Sequence, residues 1–245
     1  IKTNTLRRKI ACMKVFYNYL KYQNIIEENP FNQLRFQFRT EKILPKTIPY
    51  DILKNIFIYL EQKVVISKTD YQKQKAERNL LIISLLLSTG IRISELCHIH
   101  LKDINLSNKT LHIIGKGKKE RILFLGDQTT FNILETYINK TGKESNDFLF
   151  PGKHLPKPLS EQSVRLILKR IVEQNSLSKT ITPHMFRHSF ATMLLDNDVD
   201  IRYIQQILGH SSISVTQIYT HVSHSKQKEI LSSFNPMSVI HSEIE

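Results

Sequence analysis

The chain has 245 residues, of which 40% are hydrophobic, and it carries a formal net charge of +13. This length suffices for one full domain and a smaller piece, each with a buried core. Cys12 and Cys97 are far apart and lack metal-ligand spacing, so we expect no disulfide framework and a reducing cytoplasm as the compartment. The longest apolar run, Leu80–Leu87, is far below the roughly 20 residues that span a bilayer. We therefore expect no membrane partner.

The positive charge attracts polyanions by counterion release, and it is equally typical of a soluble lysine-rich protein. Charge alone therefore does not separate a nucleic-acid-binding protein from any other soluble one. The motifs along the chain have to decide.

The first predicted element is an amphipathic helix over residues 5–22, with an apolar face formed by Leu6, Ile10, Met13, Phe16, Tyr17 and Leu20. One helix cannot bury its own apolar face. Residues 1–34 are therefore predicted to be the final part of a helical domain, and the chain, which begins at Ile1, to belong to a longer protein. Asn29-Pro30 ends this part, and a linker is expected over residues 35–47.

A second domain is predicted over residues 48–235, followed by a tail at 236–245. Its first helices are expected at 50–61 and 73–88, with Gly90 as the stop of the second. A hairpin of Thr110–Ile114 and Arg121–Leu125 follows, and then come helices at 127–140, 160–174, 183–196, 200–208 and 213–222. The predicted fold is mostly α with a small antiparallel β-sheet (α+β). An amphipathic stretch from Lys226 to Phe234 could dock on a neighbouring subunit or on its own domain.

Two segments place basic side chains beside glycines. Arg92 follows the helix stop at Gly90, in a stretch where Ser94 could cap the next helix and Glu95 could orient Arg92. Lys116 lies in the glycine-rich tip of the hairpin, where the backbone can approach a phosphate closely. Taken singly, each segment is more typical of an ordinary surface turn.

Two further segments lie near the end of the chain. Thr182 and Pro183 are typical of a helix start, so His184 and Arg187 are predicted one turn apart at a helix N-terminus, which favours anions. His210 follows a Leu-Gly helix end, and Tyr219 comes soon after it. His184 and His188 could instead bind a metal ion, but no glutamate lies between them to act as a base.

Together, Arg92, Lys116, His184, Arg187, His210 and Tyr219, in this order and at these separations, resemble the motif set of the tyrosine recombinase (phage integrase) family. The resemblance implies an integrase-like catalytic domain, preceded by the remnant of a helical core-binding domain that binds DNA. It also implies these six residues as the catalytic set, with no cofactor and no metal. His188 is then expected to be a packed helix residue, and Asp103 a support residue of the site.

The resemblance implies that Tyr219 attacks a DNA phosphorus and forms a 3′-phosphotyrosyl link. Arg92 and Arg187 would hold the nonbridging oxygens, and His210 would donate a hydrogen bond to the phosphate. Lys116 would protonate the leaving 5′-oxygen, and His184 would help to take the tyrosine proton.

The implied partners are double-stranded DNA and three further copies in a homotetramer; accessory DNA-bending proteins are further candidate partners. The expected location is the cytoplasm, in association with the nucleoid. We favour a mobile-element integrase, with a chromosomal dimer resolvase of the same family as the alternative. An inactive DNA-binding regulator and a metal-dependent hydrolase are weaker candidates. A type IB topoisomerase uses similar chemistry, but Gly90–Leu96 and Leu208–Ser211 resemble recombinases more.

Overall fold

The computed structural model describes residues 3–34, 46–115, 120–142, 144–153, 156–175, 177, 180–209 and 224–244. The chain divides into two compact units, Ile1–Leu44 and Pro45–Glu245. The predicted linker at 35–47 and the predicted helix at 213–222 lie largely or wholly outside the described residues. None of the helices in the described ranges is both long enough and apolar enough to cross a membrane.

The first unit is built around helix α1, Thr3–Tyr22. After the helix the chain turns back, and Asn29, only 2% exposed, holds this return. Its Nδ2 donates to the Asn18 Oδ1 at 2.6 Å and to the Lys14 carbonyl at 3.2 Å. Much of the apolar face of α1 is exposed, including Met13 and Phe16, as expected of a helix that does not bury its own apolar face.

The second unit is mostly helical, with one small sheet, and the predicted fold class is confirmed. Its helices are α2 Tyr50–Val65, α3 Asp70–Thr89, α4 Ile93–Cys97, α5 Gln128–Thr141, α6 Glu161–Gln174, α7 Pro183–Asp196, α8 Ile201–Leu208, α9 His224–Ser233 and α10 Pro236–Ser242. Helix α3 is the centre of the core, because it contacts α2, α5, α7 and α10. Every residue from Leu80 to Thr89 is buried, which explains why the second half of α3 is apolar on all sides.

Helix α3 begins three residues earlier than the apolar pattern predicts. Thr69 is its N-cap, and the Thr69 hydroxyl accepts a hydrogen bond from the backbone N–H of Gln72 at 3.2 Å. The first turn is polar and exposed, so apolar spacing carries no signal there, whereas the cap does. The C-terminal stop is confirmed: Gly90 adopts a left-handed conformation at φ 60°.

The sheet has three antiparallel strands in the order β1-β2-β3. The strands are β1 Ile104–Asn105, β2 Thr110–Ile114 and β3 Glu120–Phe124. The predicted hairpin is confirmed with β3 shifted by one residue, so that Arg121 pairs with Ile113. Strand β1 was not predicted, because two residues are too few to show an alternating pattern. The hairpin tip at 116–119 lies outside the described residues.

Residues 236–245, predicted as a tail, contribute helix α10 to the second unit. Asn235 precedes this helix; its Oδ1 accepts from the Met237 N–H at 3.0 Å, and its Nδ2 donates to the Ser88 carbonyl at 3.1 Å. Met237 and Ile240 are fully buried. A seven-residue helix shows too little periodicity to be recognised from sequence, and its cap bonds to a residue far away in the chain.

A buried pair also holds α10. His241 Nδ1 lies 3.2 Å from Asp127 Oδ2, and both side chains are almost fully buried. Asp127 is the N-cap of α5, where its Oδ2 accepts from the Thr130 N–H at 2.6 Å. Burial tends to raise the pKa of Asp127, but the bonds from His241 and Thr130 outweigh burial and hold its pKa below the usual range. The stretch before α10 also packs on its own unit at Ile230 and Leu231, which are buried.

Gly90 and Gly142 form a matched pair for testing the junction after α3. Both end a helix with positive φ, but a Cβ at Gly90 would lie 2.6 Å from Phe190 Cδ1 and 2.7 Å from Leu208 Cδ2, whereas one at Gly142 meets nothing within 4 Å. We expect Gly142→Ala to cost about 1 kcal/mol of unfolding free energy from backbone strain. We expect Gly90→Ala to cost about 1–3 kcal/mol more from overpacking. Urea unfolding of both variants measures the difference, and equal losses would contradict the tight packing.

Candidate active site

Arg92 lies in the short connection between the left-handed turn at Gly90 and helix α4. It is the N-cap of α4 and has an extended conformation. Ser94, which the sequence predicted as the cap, lies inside the helix instead. The cap interaction comes from Glu95, whose Oε2 accepts from the Arg92 backbone N–H at 3.1 Å. The Arg92 guanidinium donates from Nη1 to the Glu95 Oε1 at 2.8 Å and from Nη2 to the Gly209 carbonyl at 3.2 Å. One third of the side chain remains exposed.

Glu95 is bound by two arginines and is almost fully buried. Besides Arg92, it accepts from Arg121 Nη1 at 3.0 Å and from Arg121 Nη2 at 2.7 Å. Burial tends to raise the pKa of Glu95, but the hydrogen bonds and charges of Arg121 and Arg92 outweigh it, so the pKa lies below the usual range. The predicted contact between Glu95 and Arg92 is therefore present, and the carboxylate is ionised at neutral pH.

Arg187 lies on α7, which begins at Pro183 as predicted. Thr182 is the N-cap, although its side chain makes no cap hydrogen bond. The Arg187 guanidinium is 7% exposed and joins two helix ends, because Nη1 donates to the Gly90 carbonyl and Nη2 to the Leu208 carbonyl, both at 2.7 Å. Burial, together with the charge of Arg92, lowers the pKa of Arg187 to about 10, so it is still protonated at neutral pH.

Three arginines meet at the C-terminal end of α8. Arg121 Nε donates to the Ile207 carbonyl at 3.2 Å, Arg187 to that of Leu208 and Arg92 to that of Gly209. The last carbonyls of a helix have no partner within the helix and carry partial negative charge, which guanidinium groups satisfy. We call Arg92, Arg121, Arg187 and Glu95 the arginine cluster.

His184 is exposed one turn before Arg187 on α7. It lines a cavity of about 550 Å³, together with Ile93 of α4 and the basic residues Arg165 and Lys169 of α6. The acidic residue Glu173 also lines the cavity, 3.7 Å from Lys169, so the lining carries both signs of charge. This placement leaves His184 open to a reacting group from solvent.

The structure brings together only part of the predicted set. Arg92 and Arg187 meet at the end of α8, and His184 lies on the helix that carries Arg187. Lys116, His210 and Tyr219 lie outside the described residues. Two of the three nevertheless adjoin the arginine cluster in sequence: His210 follows Gly209 directly, and Lys116 comes shortly before Arg121.

His188 and Asp103 do not lie as the sequence predicts. His188 is exposed rather than packed in the core. The part of its ring that is covered, and then the charges of His184 and Arg187, lower its pKa. Asp103 Oδ2 accepts from the backbone N–H of His100 at 3.0 Å, so it caps a short 3₁₀ turn instead of supporting a site residue. Among the described residues, no group of three or more histidines, cysteines or acidic side chains could hold a metal ion.

Arg121 was given no role from the sequence. In the hairpin its neighbours suggested only a basic turn, whereas its partners, Glu95 and Ile207, are 26 and 86 positions away. Its position on the half-buried face of β3 was the one available signal, since a buried arginine has to be paired.

The family model described as "Phage integrase family" matches residues 57–226, more than half of the chain. The chain belongs to the phage integrase family. It is 49% identical over 243 residues to a protein of Agathobacter rectalis named "Tyrosine recombinase", covering 98% of this chain and 79% of that protein. It is 35% identical over 243 residues to "Tyrosine recombinase XerC" of Bacillus subtilis, covering 96% and 76%. Tyrosine recombinases are enzymes that transfer DNA strands, and this chain is one of them.

A solved structure supports the same assignment. The XerH site-specific recombinase, bound to its difH substrate in a pre-cleavage complex, is 26% identical to this recombinase with a TM-score of 0.62. The alignment covers 89% of this chain and 61% of that one.

Proposed function

We propose that this recombinase cuts and rejoins DNA at a specific site, with Tyr219 as the nucleophile and a 3′-phosphotyrosyl intermediate. The observation that carries the proposal is the meeting of Arg92 and Arg187 at the end of α8, directly before His210. Two arginines held at the helix end that leads, in sequence, to His210 and Tyr219 can stabilise the charge that develops on a phosphate.

The proposed cleavage step conserves atoms and protons. The phenolic oxygen of Tyr219 forms a bond to phosphorus while the bond from phosphorus to the 5′-oxygen breaks. His184 helps to take the phenolic proton, and Lys116 gives a proton to the leaving 5′-oxygen. Religation is the reverse, with a 5′-hydroxyl attacking the phosphotyrosyl bond. That bond keeps the energy of the broken phosphodiester, so the scheme needs neither ATP nor a metal ion.

The arginines act on the transition state. Negative charge grows on the nonbridging oxygens as phosphorus becomes five-coordinate, and Arg92, Arg187 and His210 stabilise it. The carbonyl bonds of the two arginines use only part of their donors, since a guanidinium has five N–H groups. The remaining N–H groups can bind the phosphate while the carbonyls hold the planes of the guanidiniums in place.

Double-stranded DNA is the proposed partner. The chain's net charge of +13 favours such a polyanion, and its relative XerH was solved on a DNA substrate. We propose a homotetramer on two duplexes as the working assembly, because exchange of strands between two duplexes requires one nucleophile for each strand. Accessory DNA-bending proteins and association with the nucleoid remain predictions.

We further propose a mobile element as the origin of this recombinase. The 49% identity is to a relative named only as a tyrosine recombinase, whereas identity to XerC of Bacillus subtilis is 35%. That second similarity, and the one to XerH, favour a chromosomal dimer resolvase as the second candidate. Recombination assays on two DNA substrates separate the two candidates. A mobile-element enzyme recombines the DNA that flanks its gene, whereas a dimer resolvase recombines DNA from the chromosomal terminus.

Covalent trapping tests the catalytic proposal. The protein is incubated in EDTA with nicked duplexes from the DNA flanking its gene, so that cleavage releases a short fragment and prevents religation. We expect an SDS-stable protein–DNA adduct and, after nuclease and protease digestion, a nucleotide attached to the peptide that contains Tyr219. An adduct on another residue would contradict the assignment of the nucleophile.

The other outcomes point to the competing functions. Tight DNA binding without any adduct would indicate an inactive DNA-binding protein. Cleavage that leaves no covalent product and disappears in EDTA would indicate a metal-dependent hydrolase.

A further inference from the structure

We propose that Arg121 is a positioning residue for DNA cleavage, acting through Glu95 on Arg92 and through Ile207 on the turn that precedes His210. This inference rests on the proposed function, because it assigns work to Arg121 only in so far as Arg92 and His210 bind the phosphate. Arg121 itself does not touch the reacting atoms.

The first step is the geometry of the contact with Glu95. Arg121 binds both carboxylate oxygens, at 3.0 Å and 2.7 Å, while only 13% of the Arg121 side chain is exposed. A bidentate pair of this kind fixes the plane of the carboxylate as well as its position. Lysine cannot reproduce it, because an ammonium is a point charge without a planar fork.

The second step is that Glu95 is shared. Its Oε1 also accepts from Arg92 Nη1 at 2.8 Å, and its Oε2 from the Arg92 backbone N–H at 3.1 Å. The carboxylate held by Arg121 therefore sets the direction in which Arg92 points, together with the Gly209 carbonyl, which accepts from Arg92 Nη2 at 3.2 Å. Without Arg121, the carboxylate keeps only Arg92 as a partner and can rotate about its side-chain torsions, and the exposed end of Arg92 moves with it.

The third step is the contact with α8. Arg121 Nε donates to the Ile207 carbonyl at 3.2 Å, and its side chain fills the space beside Gly209. A Cβ at Gly209, where φ is +64°, would lie 3.1 Å from Arg121 Cδ and 3.3 Å from its Nε. The left-handed turn and the arginine therefore fit together, and Arg121 holds the turn at Gly209, the residue that precedes His210 in the sequence.

The fourth step is where Arg121 comes from. It lies on β3, paired with Ile113 of β2, so it is carried by the hairpin and not by the helices that it joins. The arginine cluster thus draws one arginine from the sheet, one from the start of α4 and one from α7. Arg121 connects the sheet to Arg92 through Glu95, and to the end of α8, where Arg187 also donates.

The test compares single-turnover cleavage by Arg121→Gln, Arg121→Lys and Lys140→Gln. Lys140 is the matched control. It forms an ion pair with Glu77 at 2.7 Å, away from the cluster, so Lys140→Gln also removes one positive charge and one ion pair. We expect Arg121→Gln to slow cleavage about 100-fold, as displacements of about 1 Å can do. Its DNA affinity should change less than threefold. Arg121→Lys should recover only part of the rate, and Lys140→Gln should cleave at the rate of the unmodified protein.

A double-mutant cycle separates positioning from a general loss of stability. If Arg121 acts through Glu95, the double variant Arg121→Gln/Glu95→Gln should cleave no more slowly than the slower single variant. Multiplied defects, or a full rate in Arg121→Gln, would overturn the proposal. The proposal would also be overturned if the loss of cleavage equalled the loss of folded protein, which is measured by unfolding in the same buffer.

Hydrogen exchange makes the result independent of catalysis. In Arg121→Gln, the amides of residues 92–97 and 205–209 should exchange faster than in Lys140→Gln, and unchanged exchange there would overturn the proposal. If the unmodified protein forms no adduct, the proposed function fails, and the exchange data still decide whether Arg121 holds the two segments.

Discussion

Arg187→Lys should lower the single-turnover rate of DNA cleavage by at least about 100- to 1000-fold, the usual loss on removing one donor that stabilises developing charge. The reason is geometric. Arg187 donates to the carbonyls of Gly90 and Leu208 at 2.7 Å each, so both terminal nitrogens are held while further N–H groups stay available for phosphate. A lysine ammonium keeps the charge but cannot bind two carbonyls and a phosphate in one plane.

The same substitution should cost about 1–3 kcal/mol of unfolding free energy, because at least one buried carbonyl loses its donor. Arg170→Lys, an exposed change on α6, is the control and should alter neither cleavage nor stability. Assays are run below the unfolding transition, so that the folded fraction is the same for all proteins. Cleavage by Arg187→Lys at the rate of the unmodified protein would rule out Arg187 as a phosphate-binding residue.

Tyr219→Phe should abolish the covalent protein–DNA adduct altogether, which is the largest effect that we expect from any single change. The substitution removes one oxygen, the atom that would form the bond to phosphorus. Trapping on the nicked duplex, followed by SDS electrophoresis, measures the loss.

Binding provides the control for Tyr219→Phe. Its DNA affinity should stay within about threefold of that of the unmodified protein, since one hydroxyl group contributes little to an interface of many phosphate contacts. A second control, Tyr203→Phe, removes a hydroxyl from α8 and should leave the adduct intact. Persistence of the adduct in Tyr219→Phe would mean that another residue is the nucleophile.

Local signals in the sequence were sufficient for most of the fold. The hairpin, the stop at Gly90 and the start of α7 at Pro183 depend on neighbouring residues and were predicted to within a residue. Strand β1 and helix α10 were missed because they are too short for a period to show. Helix α10 depends instead on distant partners: Asn235 bonds to the Ser88 carbonyl 147 positions earlier.

The site divides in the same way. The motifs predict Arg92, His184 and Arg187 as site residues, and the structure brings the two arginines together at the end of α8, with His184 on the helix of Arg187. Arg121 could not be predicted, since its role depends on Glu95 and Ile207, which come close only after the sheet packs against the helices. Burial also reversed one expectation, because one residue, or about 100° of rotation around α7, separates exposed His188 from buried Arg187.

The arginine cluster has a consequence for the design of the molecule. Its Glu95 carboxylate binds Arg92 and Arg121, while Arg187 donates to the Gly90 and Leu208 carbonyls. Burial, and then the charge of Arg92, disfavour the charged form of Arg187; the charge of Glu95 favours it, and that of Arg121 disfavours it. The free protein therefore holds Arg187 charged at an energetic cost, which comes first from burial, and a DNA phosphate bound beside it would favour its charged form. Such an arrangement is a trade-off between stability and activity. A buried cation lowers the free energy of unfolding of the free protein, and binding of the reacting phosphate offsets that cost.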